Sequence, residues 1–197
     1  MPQNFGPPIM ERMIETIPGK QVNLRRVTRA DAASIARHAN DLTVARNTFI
    51  PHPYSVKDAH DFVRRSRSMW GKEQAYFFGM EDPATGEIIG GIGMEIISRK
   101  HRCVEAGYWL SRKYRGRGIV TEALSLLVKF GFKELKQVRI QAHVMNGNED
   151  SVRVLRRCGF TYEGTERRRI KHRGRWRDLM MFSILKGDKP QGRTLRS

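Results

Sequence analysis

A short stretch rich in glycine and arginine has the composition of an anion site. It reads Arg115-Gly116-Arg117-Gly118 and lies between an apolar strand pattern and a helical pattern that begins near Ile119. Glycine lets several backbone N–H groups converge on one ligand, and the first turn of a helix adds unpaired N–H groups and a positive dipole end. The stretch therefore predicts a phosphate cradle made mainly of backbone. A plain strand-to-helix turn with solvated arginines explains the same four residues equally well.

Alternating hydrophobic periods indicate the elements that would hold this cradle. Period-two alternation predicts strands over 21–27, 75–81, 88–97, 103–110, 138–144, 160–169 and 175–185. Helical spacing and capping residues predict helices over 32–40, 55–70, 119–134 and 148–157, with one more helical turn at 41–47. This order predicts one α/β domain at 20–185, with a mixed sheet of about seven strands and helices on both faces. We expect residues 1–19 to form an arm and 186–197 a flexible tail.

Composition narrows the class of protein. The 197 residues show neither an apolar run of membrane-spanning length nor a secretory signal, and Cys103 and Cys158 form no CxxC pattern. The six histidines lack metal-ligand spacing, so we predict no metal. The two separated cysteines argue against a disulfide framework, so we predict a cytoplasmic location. A net charge of +17 and a pI near 10.6 favour anionic partners, such as a nucleotide cofactor, nucleic acid, the ribosome surface or an acidic substrate.

Several ordered motifs resemble the GNAT superfamily of N-acetyltransferases. The segment from Arg115 to Val120 resembles the family's pyrophosphate loop, R/Q-x-x-G-x-G/A, with matches at Arg115 and Gly118 and a departure at Val120. Four further segments resemble the branch of ribosomal-protein N-acetyltransferases (RimJ/RimL type): Glu105-Ala-Gly-Tyr-Trp-Leu110, Thr121-Glu-Ala-Leu124, Asn148-Glu-Asp-Ser151 and Gly174-Arg-Trp-Arg-Asp178. The resemblance covers roughly residues 20–185.

The resemblance implies an enzyme that transfers an acetyl group from acetyl-CoA to a primary amine. It implies that strands 103–110 and 138–144 splay apart and that the pantetheine arm lies in the gap. Backbone N–H groups near the end of the first strand would meet the thioester oxygen. The cofactor-binding residues that it implies are Tyr108, Trp109, Leu110, Arg115, Gly116, Arg117, Gly118, Ile119, Val120, Thr121, Asn148 and Ser151.

Two side chains are candidates for proton transfer. Glu105 lies on the strand that, by resemblance, borders the thioester, and is the candidate catalytic base; an exposed glutamate in a cross-strand pair is the alternative. Ser151 is the candidate donor to the CoA sulfur, because Leu155 occupies the position where many GNAT enzymes place a tyrosine. Its alternative role is helix capping beside Asn148. His143 is predicted to be a packed or partnered strand residue.

Three functions remain open. The first is acetylation of a protein N-terminal α-amine, for example on a ribosomal protein, and the second is acetylation of a small amine. The third is a nucleic-acid-binding module with a vestigial acetyl-CoA site, which the seven Lys and Arg residues of segment 167–177 would favour. That basic segment is either a solvated hairpin or a docking surface for ribosomal RNA or an acidic protein segment. A monomer and a homodimer are both compatible with the pattern.

Overall fold

A computed structural model describes residues 15–188, which form one eight-stranded sheet in the order β1-β2-β3-β4-β5-β6-β8-β7. The strands are β1 (Thr16–Ile17), β2 (Asn23–Arg25), β3 (Ala75–Glu81), β4 (Ile88–Ser98), β5 (Cys103–Leu110), β6 (Arg139–Met145), β7 (Thr161–His172) and β8 (Arg175–Leu185). The helices are α1 (Ala32–Ala39), α2 (Leu42–Ala45), α3 (Val56–Gly71), α4 (Ile119–Lys133) and α5 (Glu149–Arg157). Within these residues no helix is long and apolar enough to cross a membrane.

Helices cover both faces of the sheet, as the sequence predicts. Side chains alternate along β3, so that Phe78 faces α4 and stacks edge-on against Phe130 with ring centroids 5.3 Å apart. Its neighbour Phe77 points to the opposite face and meets Phe62 of α3 at 6.1 Å. Burial of such a side chain contributes about 1.5–3 kcal/mol. These aromatic contacts therefore pack α3 and α4 against opposite faces of the sheet that carries the site.

Capping residues in the sequence correctly predicted where the helices begin. Ser55 caps α3 in a reciprocal box with Asp58, in which each side chain bonds the other residue's backbone N–H. Asn148 caps α5, and Gly118 precedes the first residue of α4. The expected strands at 75–81 and 103–110 have the predicted bounds.

The sheet has one strand more than the seven predicted. Residues Thr16–Ile17, placed in the N-terminal arm by the sequence, pair antiparallel with β2 as β1. A two-residue strand is too short to show an alternating period, so the prediction missed it. The rest of the predicted arm (1–14) and the end of the predicted tail (189–197) lie outside the described residues.

A bidentate ion pair fixes β7 to the rest of the sheet. The Arg139 guanidinium on β6 donates to both carboxylate oxygens of Glu163 on β7, at 2.7 and 2.5 Å, and Ser183 of the intervening β8 donates to the same carboxylate at 2.6 Å. The hydrogen bonds from Arg139 lower the pKa of Glu163 from 4.5 to about 2. The contact therefore spans three strands.

This ion pair predicts an acid-dependent loss of stability. Because the folded pKa of Glu163 is depressed, its contribution is complete above pH 4.5 and disappears as the pH falls toward 2. The side chain is partly exposed, so we expect the contribution to stay below about 1 kcal/mol. Urea unfolding at pH 5 and pH 3 should show a smaller acid-induced loss for Glu163→Gln than for the wild type. Equal losses would show that another group causes the acid sensitivity.

Candidate active site

A wedge-shaped gap opens in the middle of the sheet. Strands β5 and β6 pair in parallel only at their starts, and the last paired residues are Glu105 and Gln141. The predicted splay is therefore present. Ser111 donates its N–H to the Ile89 carbonyl of β4. Successive N–H groups of an antiparallel strand point to opposite sides, so those of Tyr108 and Leu110 point away from β4 and toward the gap. These two N–H groups are the donors expected near a thioester oxygen.

The glycine stretch lies at the end of this gap. Gly116 and Gly118 have φ values of +77° and +81°, a region that other residues enter only with strain. A Cβ on Gly116 would meet nothing within 4 Å, and Gly118 is the N-cap of α4. Both glycines line a cavity of about 500 Å³ together with the first turn of α4. Open space, glycine backbone and a helix N-terminus together suit a pyrophosphate group.

The arginines of the stretch differ in their contacts. Arg115 lines the cavity and donates from Nε and Nη2 to the Leu110 carbonyl, both at 3.2 Å, which ties the loop to the end of β5. Arg117 lies outside the lining, with its guanidinium 5.7 Å from the centre of the Tyr114 ring. Val120 lines the cavity and packs against the main core, so the departure from Gly or Ala leaves the loop intact.

Ser151 is held as a hydrogen-bond donor. Its backbone N–H donates to Asn148 Oδ1 at 3.3 Å, and its hydroxyl oxygen accepts from Asn148 Nδ2 at 3.0 Å. The hydroxyl hydrogen is thus left for another acceptor. Tyr108 donates to the Ser151 carbonyl at 3.4 Å, and burial raises the pKa of its phenol to about 12. Both side chains line the cavity.

Glu105 lies at the apex of the gap, in the wall of a second cavity of about 710 Å³. Its Oε2 atom accepts from Gln141 Nε2 at 3.0 Å and lies 3.0 Å from His143 Nδ1. About a third of the side chain is exposed. The same cavity is lined by apolar side chains of the α2–α3 segment, including Phe49 and Ile50. Glu105 is therefore accessible and anchored at one oxygen.

The two cavities meet. Six residues line both of them: Asn47, Thr48, Tyr108, Trp109, Asn148 and Ser151. The sequence predicted the last four as cofactor-binding residues, and it did not predict the first two, because the turn that follows α2 carries no motif. A group held in one cavity can contact a group held in the other at this junction.

A family model that matches most of the chain identifies the family. The model of the acetyltransferase (GNAT) domain matches residues 21–161. The chain belongs to the GNAT acetyltransferase family. This GNAT protein is an acetyltransferase that uses acetyl-CoA, and the cavity with the glycine cradle has the backbone donors to hold that cofactor.

Two relatives and one solved structure illustrate its place in the family. The GNAT protein is 31% identical to the uncharacterized N-acetyltransferase p20 of Bacillus licheniformis, over 88% of this chain and 97% of that protein. It is 32% identical to the ribosomal protein uS5 alanine N-acetyltransferase of Escherichia coli (strain K12), over 60% and 62% of the two chains. RimJ of Mycobacterium smegmatis, solved in complex with CoA-disulfide, has a TM-score of 0.77 and 27% identity, over 83% and 81%.

Proposed function

We propose that this enzyme transfers an acetyl group directly to the α-amine of a protein N-terminus, with acetyl-CoA and acceptor bound together. The observation that carries the proposal is the junction of the two cavities at Tyr108 and Ser151. An amine in the larger cavity reaches the thioester there without a covalent enzyme intermediate. Burial raises the pKa of both Cys103 and Cys158, which disfavours a thiolate nucleophile and supports direct transfer.

Each group at the site then has one role in the reaction. Acetyl-CoA supplies the acetyl group as a thioester. Glu105 accepts the proton of the incoming amine, and an α-amine with a pKa of about 7.7–8.0 needs only a weak base. The N–H groups of Tyr108 and Leu110 bind the carbonyl oxygen, and the Ser151 hydroxyl donates to the departing sulfur. The backbone of 116–121 holds the pyrophosphate in place.

The walls of the larger cavity support a protein acceptor. Phe49, Ile50 and Phe62 offer an apolar surface for a small N-terminal side chain, while Arg65 and Arg169 disfavour a polycation. The uS5 enzyme of Escherichia coli acts, by its name, on an alanine of a ribosomal protein. A comparable protein N-terminus in the cytoplasm is therefore our proposed acceptor. A small amine is the second candidate, favoured by the carboxylates of Glu95 and Glu105 in the same wall.

The basic segment adjoins this cavity and is proposed to guide the acceptor. All seven Lys and Arg side chains of 167–177 are exposed, and Arg169 lines the cavity. The hairpin is fixed beside the α2 segment, since His172 Nε2 donates to the Thr48 carbonyl at 2.9 Å and Arg173 to the Ala45 carbonyl at 3.2 Å. Such a fixed, basic surface suits an acidic segment of the acceptor or nearby RNA.

Release of free thiol from acetyl-CoA tests the proposal. The protein is incubated with N-terminal peptides, the same peptides blocked at the α-amine, a lysine peptide and spermidine. We expect turnover on free α-amines and none on the blocked peptides. Preferred turnover of spermidine would support the small-amine alternative. No turnover on any amine, together with tight salt-sensitive RNA binding, would favour the nucleic-acid module instead.

A further inference from the structure

His143 lies between two carboxylates at the apex of the gap. It is two residues beyond Gln141 on β6, on the same face, and only 14% of its side chain is exposed. Its Nδ1 atom is 3.0 Å from Glu105 Oε2, and its Nε2 atom is 3.5 Å from Glu166 Oε2 on β7. The Nε2 atom is buried and has no hydrogen-bond partner among residues 15–188. A buried ring nitrogen without a partner requires a physical explanation.

The distances to the two carboxylates favour a hydrogen on the Nδ1 atom of His143. An ionised carboxylate only accepts hydrogen bonds, so the Nδ1 atom, 3.0 Å from Glu105, favours this carboxylate when it carries the hydrogen. A neutral ring of this tautomer has no hydrogen on Nε2, and Nε2 lies 3.5 Å from Glu166 without a hydrogen bond. Gln141 donates to the same Oε2 atom. The Oε1 atom of Glu105 has no partner among residues 15–188, and is therefore free for an amine.

We propose that His143 is a positioning residue: it anchors Oε2 of Glu105, directs Oε1 toward the acceptor amine and makes the base sensitive to a second proton. The inference rests on the proposed function, because it assigns a role at the same site. The ring does not take the amine's proton itself, since its remaining nitrogen is buried against Glu166.

A second proton on the His143 ring would weaken Glu105 as a base. The imidazolium donates from Nε2 to Glu166, and its positive charge beside Glu105 makes that carboxylate a weaker proton acceptor. Other charges face the same cavity: Arg169, bound to Glu166 at 3.0 Å, Glu95 opposite Glu105 on β4, and Arg65 on α3. Glu166 is the carboxylate nearest to Nε2, so it is the group that stabilises the imidazolium.

Kinetics on the best acceptor separate this role from a structural one. His143→Leu removes both the N–H donor and the titration, and we expect kcat to fall about 30-fold with little change in KM. His143→Asn retains an N–H near the Nδ1 position, so it should recover most of kcat while its acid limb becomes less steep than that of the wild type. Glu166→Gln should shift the acid limb to lower pH and leave the kcat plateau unchanged. Wild-type kcat in the leucine variant, or identical acid limbs in all the variants, would overturn the proposal.

A spectroscopic test does not depend on turnover. The ¹⁵N signals of His143, assigned by their absence in His143→Asn, should show the hydrogen on Nδ1 when the ring is neutral. The opposite tautomer, with the hydrogen on Nε2, would overturn the positioning role whichever amine is the acceptor. Failure of the proposed acceptor class would appear only in the thiol-release experiment, so the two failures are distinguishable.

Discussion

Gly118→Asp should fold and yet lose about 100-fold in affinity for acetyl-CoA, because a carboxylate in this cradle repels the pyrophosphate by a few kcal/mol at close range. The position has space for a side chain. Gly118 is the N-cap of α4 at φ +81°, a left-handed conformation that aspartate and asparagine adopt more readily than other side chains. An ideal Cβ there would meet only Gln21 Nε2, at 3.8 Å. The variant therefore places a charge in the site, and the backbone strain of the positive φ is shared by the uncharged control variant.

Gly118→Asn is the matched control for this experiment. Its side chain has nearly the shape of aspartate and the same tolerance for positive φ, but no charge. We expect its acetyl-CoA affinity, measured by calorimetry, to fall less than about tenfold, which is about 1.4 kcal/mol. The difference in acetyl-CoA affinity between the two variants should become smaller as salt is added. Equal losses at all salt concentrations would mean that shape, and not the helix N-terminus and its N–H groups, controls binding.

Glu105→Gln should lower kcat by about 100-fold or more, in the range that general base catalysis contributes. Glutamine keeps the shape of the side chain and can still accept from Gln141, but it does not take a proton at neutral pH. The acid limb of the pH–rate profile should therefore flatten. The measurement is kcat against pH with the preferred acceptor, and an unchanged profile would remove Glu105 from the mechanism.

Glu95→Gln controls for the loss of one negative charge from the cavity. Glu95 faces Glu105 across β4 and β5 and lines the same cavity, but its side chain is exposed. We expect its kcat to change less than about threefold, as for an exposed charge. If both variants lose activity equally, the cavity needs its total negative charge, and the role of Glu105 as a base is wrong.

Local sequence signals predicted most of the fold. The bounds of β3 and β5 follow from period-two alternation, and the starts of α3 and α5 follow from Ser55 and Asn148, because both signals depend only on neighbouring residues. The place of β8 between β6 and β7 does not follow from them. It depends on pairing between β6 and a strand more than thirty residues away, for which the chain carries no local signature.

The candidate site likewise contains residues that the sequence predicted and residues that it did not. The glycine cradle and the Asn148–Ser151 pair are contiguous motifs, so the sequence identified them. Residues 47–48 line the junction from a turn that the tip of the β7–β8 hairpin contacts through its backbone, and no sequence pattern encodes that contact. His143 was predicted to be packed or partnered, and its contact with Glu105 follows only from the register at which β5 meets β6.

The shared wall of the two cavities also bears on inhibition. Tyr108 and Ser151 line both cavities, so under the proposed function the pantetheine and the amine would meet beside these two residues. A single molecule that joins CoA to an N-terminal peptide through a two-carbon bridge would fill both spaces at once. Because its second half binds at a high effective concentration, its affinity should exceed that of either half by about 100-fold or more. The sequence of the peptide half would then determine which GNAT acetyltransferases the molecule blocks.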